Sequence, residues 1–271
     1  MIKIGITGQA GFVGTHLFNY LGLQNEVERI SFDDSFFLDV SKLKDFVRQC
    51  DVIVHLAAMN RHNDPDVLYR TNIKLVEDLI AAMETEKVSP HVIFSSSTQE
   101  ERDNLYGLSK KEGRELFINW AQKQNASFTG LVIPNVFGPF GNPFYNSVIA
   151  TFSHQLTHGE QPRIDVDGTL NLIYVGELVE KIWEIIKEKM SAPIYPVAYS
   201  AQYKVSQILE LLQKYKELYF DNGVIPALNN RFEVNLFNTF RSYIDTSTHF
   251  PVFLRKHSDA RGSFIETVKT E

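Results

Sequence analysis

The sequence predicts an α/β protein, a doubly wound parallel sheet with a smaller C-terminal lobe. Three observations predict it. Short apolar runs alternate with helix-period segments through the first half of the chain. A glycine-spaced turn joins the first run to the first helical pattern. Successive runs end in small or hydroxyl residues, at the strand ends where open α/β sheets bind ligands.

Lys3-Ile4-Gly5-Ile6-Thr7 reads as the first strand. It runs into Gly8-Gln9-Ala10-Gly11-Phe12-Val13-Gly14, then a helical pattern through Leu17 and Leu21. Strand, glycine turn and helix form a Rossmann-type fingerprint, here spaced Gly-x-x-Gly-x-x-Gly. Gly8 permits the tight turn, Gly11 lets the backbone approach a pyrophosphate, and Gly14 lets helix and strand pack. The helix start offers free N–H groups to phosphates. Thr7, Phe12 and Val13 flank that cradle.

A second strand is expected from Val27 to Phe32, ending at Asp33 and Asp34. Asp33 stands where a carboxylate binds the adenosine ribose 2′-OH, which favours NAD. It reads equally well as a turn aspartate. Arg29, or a basic group from a loop, is the candidate for a 2′-phosphate. Asp51 to Ala58 is a third, continuously apolar strand. Leu56, Ala57 and Ala58 leave room for a ribose or ring against the backbone. His55, inside this run, reads as a hydrogen-bonded core histidine rather than a catalyst. Pro65 suits a helix first turn, and the pattern continues through Tyr69, Ile73, Val76, Leu79 and Ile80. Asn72 lies off that stripe and is expected to brace the active-site strands.

Val92 to Ser97 is the fourth strand, ending in Ser95, Ser96 and Ser97. Tyr106 and Lys110 follow, four residues apart and therefore on one helix face. A free phenol has a pKa of roughly 10, and a nearby cation lowers it. With a serine hydroxyl from the strand end, this spacing makes a device for polarising a carbonyl or alcohol. The helix is expected to continue to Gln124, and Phe128 to Ile133 to form another strand before Pro134 and Asn135.

Beyond this point the alternation weakens. Helices are expected from Ser147 to His158, Glu177 to Lys189 and Val205 to Tyr219, the last burying Ile208, Leu209, Leu211, Leu212 and Tyr215. Ile164 to Val166 and Leu170 to Val175 read as short strands. These pieces form the smaller lobe.

Composition fits a globular protein: 271 residues, 44% hydrophobic and 22% charged. The net charge of −6 argues against a nucleic-acid or membrane-surface partner. Cys50 is the single cysteine and reads as an inert buried thiol. Without a signal-peptide pattern, a transmembrane-length run or metal-ligand spacing, the expectation is a cytoplasmic protein with no metal.

Taken together, Gly8-x-x-Gly11-x-x-Gly14, Asp51 to Ala58, Ser95-Ser96-Ser97, Tyr106-x-x-x-Lys110 and Asn135-Val136-Phe137-Gly138-Pro139 resemble the extended short-chain dehydrogenase/reductases that act on nucleotide sugars. Asn60-Arg61, Tyr145 to Phe152 and Asp259-x-Arg261-Gly262-Ser263-Phe264 narrow the resemblance. They are similar to bifunctional capsular-polysaccharide enzymes, in which a reductase domain precedes a metal-binding cupin. The resemblance implies a reductase over residues 1–245, with its dinucleotide core at about 1–140. Residues 246–271 would be a linker and the start of a truncated cupin, whose strand at Gly262 to Lys269 is expected to lack a partner.

It further implies NAD(P)H-dependent reduction of the C4 keto group of a UDP-4-keto-6-deoxy-N-acetylhexosamine, by a homodimer. Tyr106 is the proton donor, Lys110 its charge partner and ribose ligand, and Ser97 the carbonyl-polarising hydroxyl, with Ser96 second. Ser95, Asn60, Asn72 and Pro134 complete the coenzyme site. Asn135, Tyr145, Asn146, Ser147 and Val148 hold the sugar nucleotide. Val132 stands where many relatives carry arginine, and Leu170 to Val175 contains none, so Arg163 is the replacement candidate for the diphosphate. Asp33 argues for NAD(H), while the resemblance favours NADP(H). An epimerase or a dehydratase using Glu100 is the alternative reaction, and a non-catalytic dinucleotide sensor the alternative class.

Overall fold

The computed structural model describes residues 1–252 and 254–271. In chain order, β1 (Ile2–Thr7), α1 (Phe12–Leu21), β2 (Val27–Ile30), α2 (Val40–Gln49), β3 (Val52–His55), α3 (Pro65–Glu86), β4 (His91–Ser97), α4 (Leu105–Gln124) and β5 (Phe128–Ile133) alternate. Then come β6 (Asn135–Phe137), α5 (Val148–Thr157), β7 (Thr169–Tyr174), α6 (Val175–Lys187), β8 (Ala192–Pro196) and β9 (Ala201–Lys204). The chain continues through α7 (Val205–Tyr215), β10 (Val224–Ile225), α8 (Arg231–Arg241), α9 (Thr246–His249), β11 (Lys256–Asp259), β12 (Gly262–Ile265) and β13 (Lys269–Thr270).

Contacts divide the chain into two units. The first comprises residues 1–136 and 175–199, so α6 and β8 join the expected dinucleotide core. Its sheet is ordered β2-β1-β3-β4-β5-β8, with every pairing parallel. This is a doubly wound sheet of Rossmann type. Its strand order reverses between β1 and β3, the position that binds ligands in such folds. All four β3 residues are buried, which explains why this stretch is continuously apolar rather than alternating. Leu43, Phe46 and Val47 of α2, Leu79 and Met83 of α3, and Phe117 and Trp120 of α4 pack with Ile53 and Phe94 in its core.

The second unit comprises residues 137–174 and 200–271. In it β7 pairs antiparallel with β9. Phe152, Ile208, Leu212, Tyr215, Leu236 and Phe240 form its core, with Leu209 and Leu211 partly buried against it.

Several elements differ from the sequence expectation for local reasons. Strand β2 stops at Ile30 rather than Phe32. The Gln9 side chain takes the Phe32 N–H at 3.3 Å, and the Phe32 ring packs edge-on against Phe36, Phe37 and Phe46. Residues 164–166 form no strand. The neighbouring Asp167 instead caps α7, accepting from Ser206 N at 2.8 Å and Ser206 Oγ at 2.9 Å. Helix α7 gives way at Lys216 to a π-helical turn through Asp221, and the Lys216–Asp221 ion pair spans it at 2.7 Å. Helix α6 ends two residues early because Lys189 takes a left-handed conformation. The Gly262 to Lys269 stretch is not unpaired: β12 pairs antiparallel with β11, and β13 pairs with β10.

Candidate active site

The glycine turn is built for close approach. Gly8 has φ +69°, in the left-handed region that favours glycine, and a Cβ there would stand 2.8 Å from Ala57 Cα. A Cβ on Gly14 would stand 2.2 Å from the Gly8 carbonyl oxygen. Gly14 therefore seats α1 on the turn backbone, a closer partner than the strand expected from sequence. Gly11 is the N-cap of α1 and supplies no side-chain acceptor, and the first turn carries no acidic residue. By contrast Asp64 caps α3 and Asn104 caps α4 with their own side chains. The uncapped, electropositive start of α1 above a glycine cradle fits a dinucleotide pyrophosphate.

Other expected coenzyme residues cluster around this turn. Thr7 is fully buried, and its hydroxyl shares a 2.7 Å hydrogen bond with His55 Nδ1. It also accepts from Ala57 N at 3.4 Å, so Thr7 ties the ends of β1 and β3 together rather than presenting its side chain to a ligand. His55 is held at about pKa 3 by burial and then by the Lys110 charge, and it stacks on Phe94. It is neutral and structural. Leu56, Ala57 and Ala58 follow β3 as half-buried loop, with Leu56 N bonded to Thr7 O. Asn60 is exposed.

Asn72 braces a different pair of elements from those expected. Buried on α3, it accepts from Met59 N at 2.7 Å and donates to Met59 O at 3.0 Å and Ser109 Oγ at 3.1 Å. It therefore ties the loop after β3 to α4.

Asp33 lies three residues beyond β2 and accepts from Ser35 N at 2.9 Å. The hydrogen bonds from Ser35 hold its carboxyl below the usual range, so it is ionised at neutral pH. Arg29 does not turn toward it. Its guanidinium donates to Phe18 O at 2.9 Å and lies 4.1 Å from the Phe18 ring centroid, on the later part of α1.

The end of β4 gathers the catalytic candidates. Ser95 donates its hydroxyl to His55 O at 3.2 Å, and its carbonyl accepts from Lys110 Nζ at 3.0 Å. Lys110 is only 4% exposed, and burial pushes its pKa down to about 8 against the opposing pull of Glu100. Its ammonium lies 5.8 Å from the Tyr106 ring centroid, which realises the one-turn spacing read from sequence. Ser97 ends β4 and caps a 3₁₀ turn over Thr98–Glu101, accepting from Gln99 N at 3.2 Å. Ser97 pairs in register with Ile133, so the buried Pro134 and the exposed Asn135 follow directly beside it.

Ser96 points the other way, as its position in a strand requires. It is buried and donates to Glu100. Glu100 in turn receives Arg114 Nε at 2.9 Å and Nη2 at 2.6 Å. Both the Ser96 substrate role and the Glu100 acid–base role therefore meet a closed internal network. Arg114 escaped the sequence reading, although it extends the Tyr106–Lys110 stripe by one further turn.

The remaining substrate candidates lie in the second unit. Tyr145 and Asn146 are exposed, Ser147 caps α5 by accepting from Ala150 N at 3.3 Å, and Val148 opens that helix. Arg163 is exposed and pairs with Asp165 at 3.2 Å.

A glycine cradle at the sheet's switch point, with a tyrosine–lysine pair beside a serine-ended strand, defines an NAD(P)-dependent oxidoreductase of the short-chain type. Residues 4–198 match the NAD dependent epimerase/dehydratase family, and the chain belongs to that family. A UDP-2-acetamido-2,6-beta-L-arabino-hexul-4-ose reductase of Pseudomonas aeruginosa is 28% identical over 99% of this chain and 72% of its own length. The crystal structure of the capsular polysaccharide assembling protein CapF of Staphylococcus aureus is also 28% identical. It aligns with TM-score 0.84 over 99% of this chain and 72% of that one. The fold alone is shared with RMD from Pseudomonas aeruginosa, solved with NADPH, at 20% identity and TM-score 0.71 over 80% of this chain and 83% of that one. Among the described residues, no helix is long and apolar enough to cross a membrane.

Proposed function

We propose that this chain uses NADPH to reduce the C4 keto group of a UDP-linked 4-keto-6-deoxy-N-acetylhexosamine. The product is UDP-2-acetamido-2,6-dideoxy-L-talose, a precursor of UDP-N-acetyl-L-fucosamine for capsule or O-antigen. The observation that carries this reading is the Tyr106–Lys110 turn of α4, its ammonium bonded to Ser95 O beside Ser97. The likeness to a 4-ulose reductase along 99% of the chain supports the choice of substrate.

When bound, the coenzyme supplies the hydride. Tyr106 gives its hydroxyl proton to the carbonyl oxygen as negative charge develops there. A cation beside a phenol makes it the better donor, and Lys110 is held in place to serve as that cation. Ser97 donates a hydrogen bond to the same oxygen. Asn135 and Tyr145 to Val148 hold the sugar nucleotide. Arg163 meets the diphosphate, since an exposed ion pair like that with Asp165 costs little to exchange.

A dehydratase would need a free acid beside Ser97, and Glu100 is bound by Arg114 and Ser96. An epimerase on this scaffold would recycle its coenzyme. Stoichiometry separates the two: the reductase oxidises one NADPH for each 4-keto sugar consumed. Conversion of the sugar without net NADPH oxidation would refute the proposal.

A further inference from the structure

Behind Ser97 lies an ion pair that the reaction as described does not use. Glu100 and Arg114 are joined by two parallel contacts, Nε to Oε1 at 2.9 Å and Nη2 to Oε2 at 2.6 Å, with side chains 9% and 7% exposed. Two glycines make room for it. A Cβ on Gly130 of β5 would stand 2.6 Å from Arg114 Cδ, so the arginine stem lies flat on that strand. A Cβ on Gly107 of α4 would stand 1.9 Å from the Gln99 carbonyl oxygen, so the first turn of α4 sits directly on the 3₁₀ turn.

Stability does not explain this arrangement. Buried pairs lose much of their attraction to desolvation, and apolar replacements are often as stable. The pair does fix orientation. It connects the turn capped by Ser97 to the helix face that carries Tyr106, Lys110 and Arg114 at successive turns. It also places a carboxylate near Lys110. The Ser95 carbonyl accepts from that ammonium, the Phe94 and Tyr106 ring centroids lie 5.2 and 5.8 Å from it, and Glu100 from the turn and neutral His55 from β3 act on it electrostatically. Arg114, one turn further on, has its charge matched by Glu100.

Resting on the reading of Tyr106 and Lys110 above, we propose that Glu100 and Arg114 are the positioning pair of this active site. They lock the Ser97 turn to the α4 face that carries Tyr106 and Lys110. The Glu100 carboxylate also opposes the effect of burial on Lys110, so removing it pushes the lysine toward its neutral form.

The test is the pH profile of kcat/KM with NADPH and the UDP-4-keto sugar, alongside the NADPH dissociation constant at neutral pH. Glu100→Gln preserves shape and should move the alkaline limb to lower pH. Arg114→Lys keeps the charge but loses the two-point contact. It should leave the limb in place, lower kcat at least about tenfold and spare NADPH affinity. An unmoved limb in Glu100→Gln, or full kcat in Arg114→Lys, overturns the proposal. If Glu100→Gln does not fold, the Arg114→Lys measurement decides alone. Tyr106→Phe separates the two levels. Full turnover in that variant sinks the catalytic reading itself, whereas an inactive Tyr106→Phe beside an unmoved Glu100→Gln limb sinks only the positioning pair.

Discussion

Replacing Asn72 with alanine removes one side chain and three hydrogen bonds. The amide accepts from Met59 N at 2.7 Å and donates to Met59 O at 3.0 Å and Ser109 Oγ at 3.1 Å. Each such bond contributes about 1 kcal/mol net, so the sum is about 3 kcal/mol. Met59 is only half-buried, and water can replace part of what its backbone loses, which brings the expected loss to about 2 kcal/mol. The assay is urea unfolding followed by tryptophan fluorescence. The chain has two tryptophans, Trp120 and Trp183, and both belong to the first unit, so the signal reports that unit alone. The midpoint should fall with little change in slope. Asn72→Asp should fare worse than alanine, because it buries a carboxylate against the Met59 carbonyl. Because Ser109 Oγ also donates to Tyr106 O at 2.8 Å, turnover should decline along with stability. A loss under about 0.5 kcal/mol would refute the bracing role, since it would place Asn72 among ordinary surface positions.

Two further predictions concern charge. Asp33→Ser removes an ionised carboxylate three residues beyond β2, so the ratio of kcat/KM for NADPH over NADH should rise at least about tenfold. An unchanged ratio would show that Asp33 serves only its turn. Lys110→Met tests the burial of the ammonium. The lysine pKa drops from 10.5 to about 8 on folding, so the unfolded chain binds more protons between those values and stability rises with pH across that window. The stability advantage of the methionine variant should be greatest below pH 8 and shrink by about 3 kcal/mol as pH approaches 10.5. An advantage that does not vary with pH would mean the lysine is solvated.

The parts of this protein legible in its sequence were those set by short-range pattern. The glycine turn, the serine-ended strand and the Tyr106–Lys110 turn all lie within a few residues of one another or at the ends of apolar runs. His55 and Cys50 are core groups legible in the sequence, since both lie in or beside a continuously apolar run. Burial pushes the Cys50 thiol up to about 12. What escaped were pairings between distant residues. Glu100 and Arg114 lie on different elements, and neither residue alone signals the other. Ile164-Asp165-Val166 alternates like a strand, but Asp167 is drawn to the start of α7 and leaves Val166 exposed. The π-helical turn after Tyr215 depends on Lys216 reaching Asp221, a pairing that the ordinary helical period does not anticipate. In the same way, nothing in the sequence around Arg29 signals that Phe18 holds its guanidinium.

The central claim is that Tyr106 delivers the proton while the glycine turn and Lys110 hold the coenzyme independently of that hydroxyl. Tyr106→Phe measures it most directly, with NADPH binding and turnover of the UDP-4-keto sugar followed in the same preparation. The account predicts a dissociation constant close to wild type and a fall in kcat of roughly 10²–10⁴-fold. Retained turnover, or a loss of activity matched by a loss of NADPH binding, would contradict it.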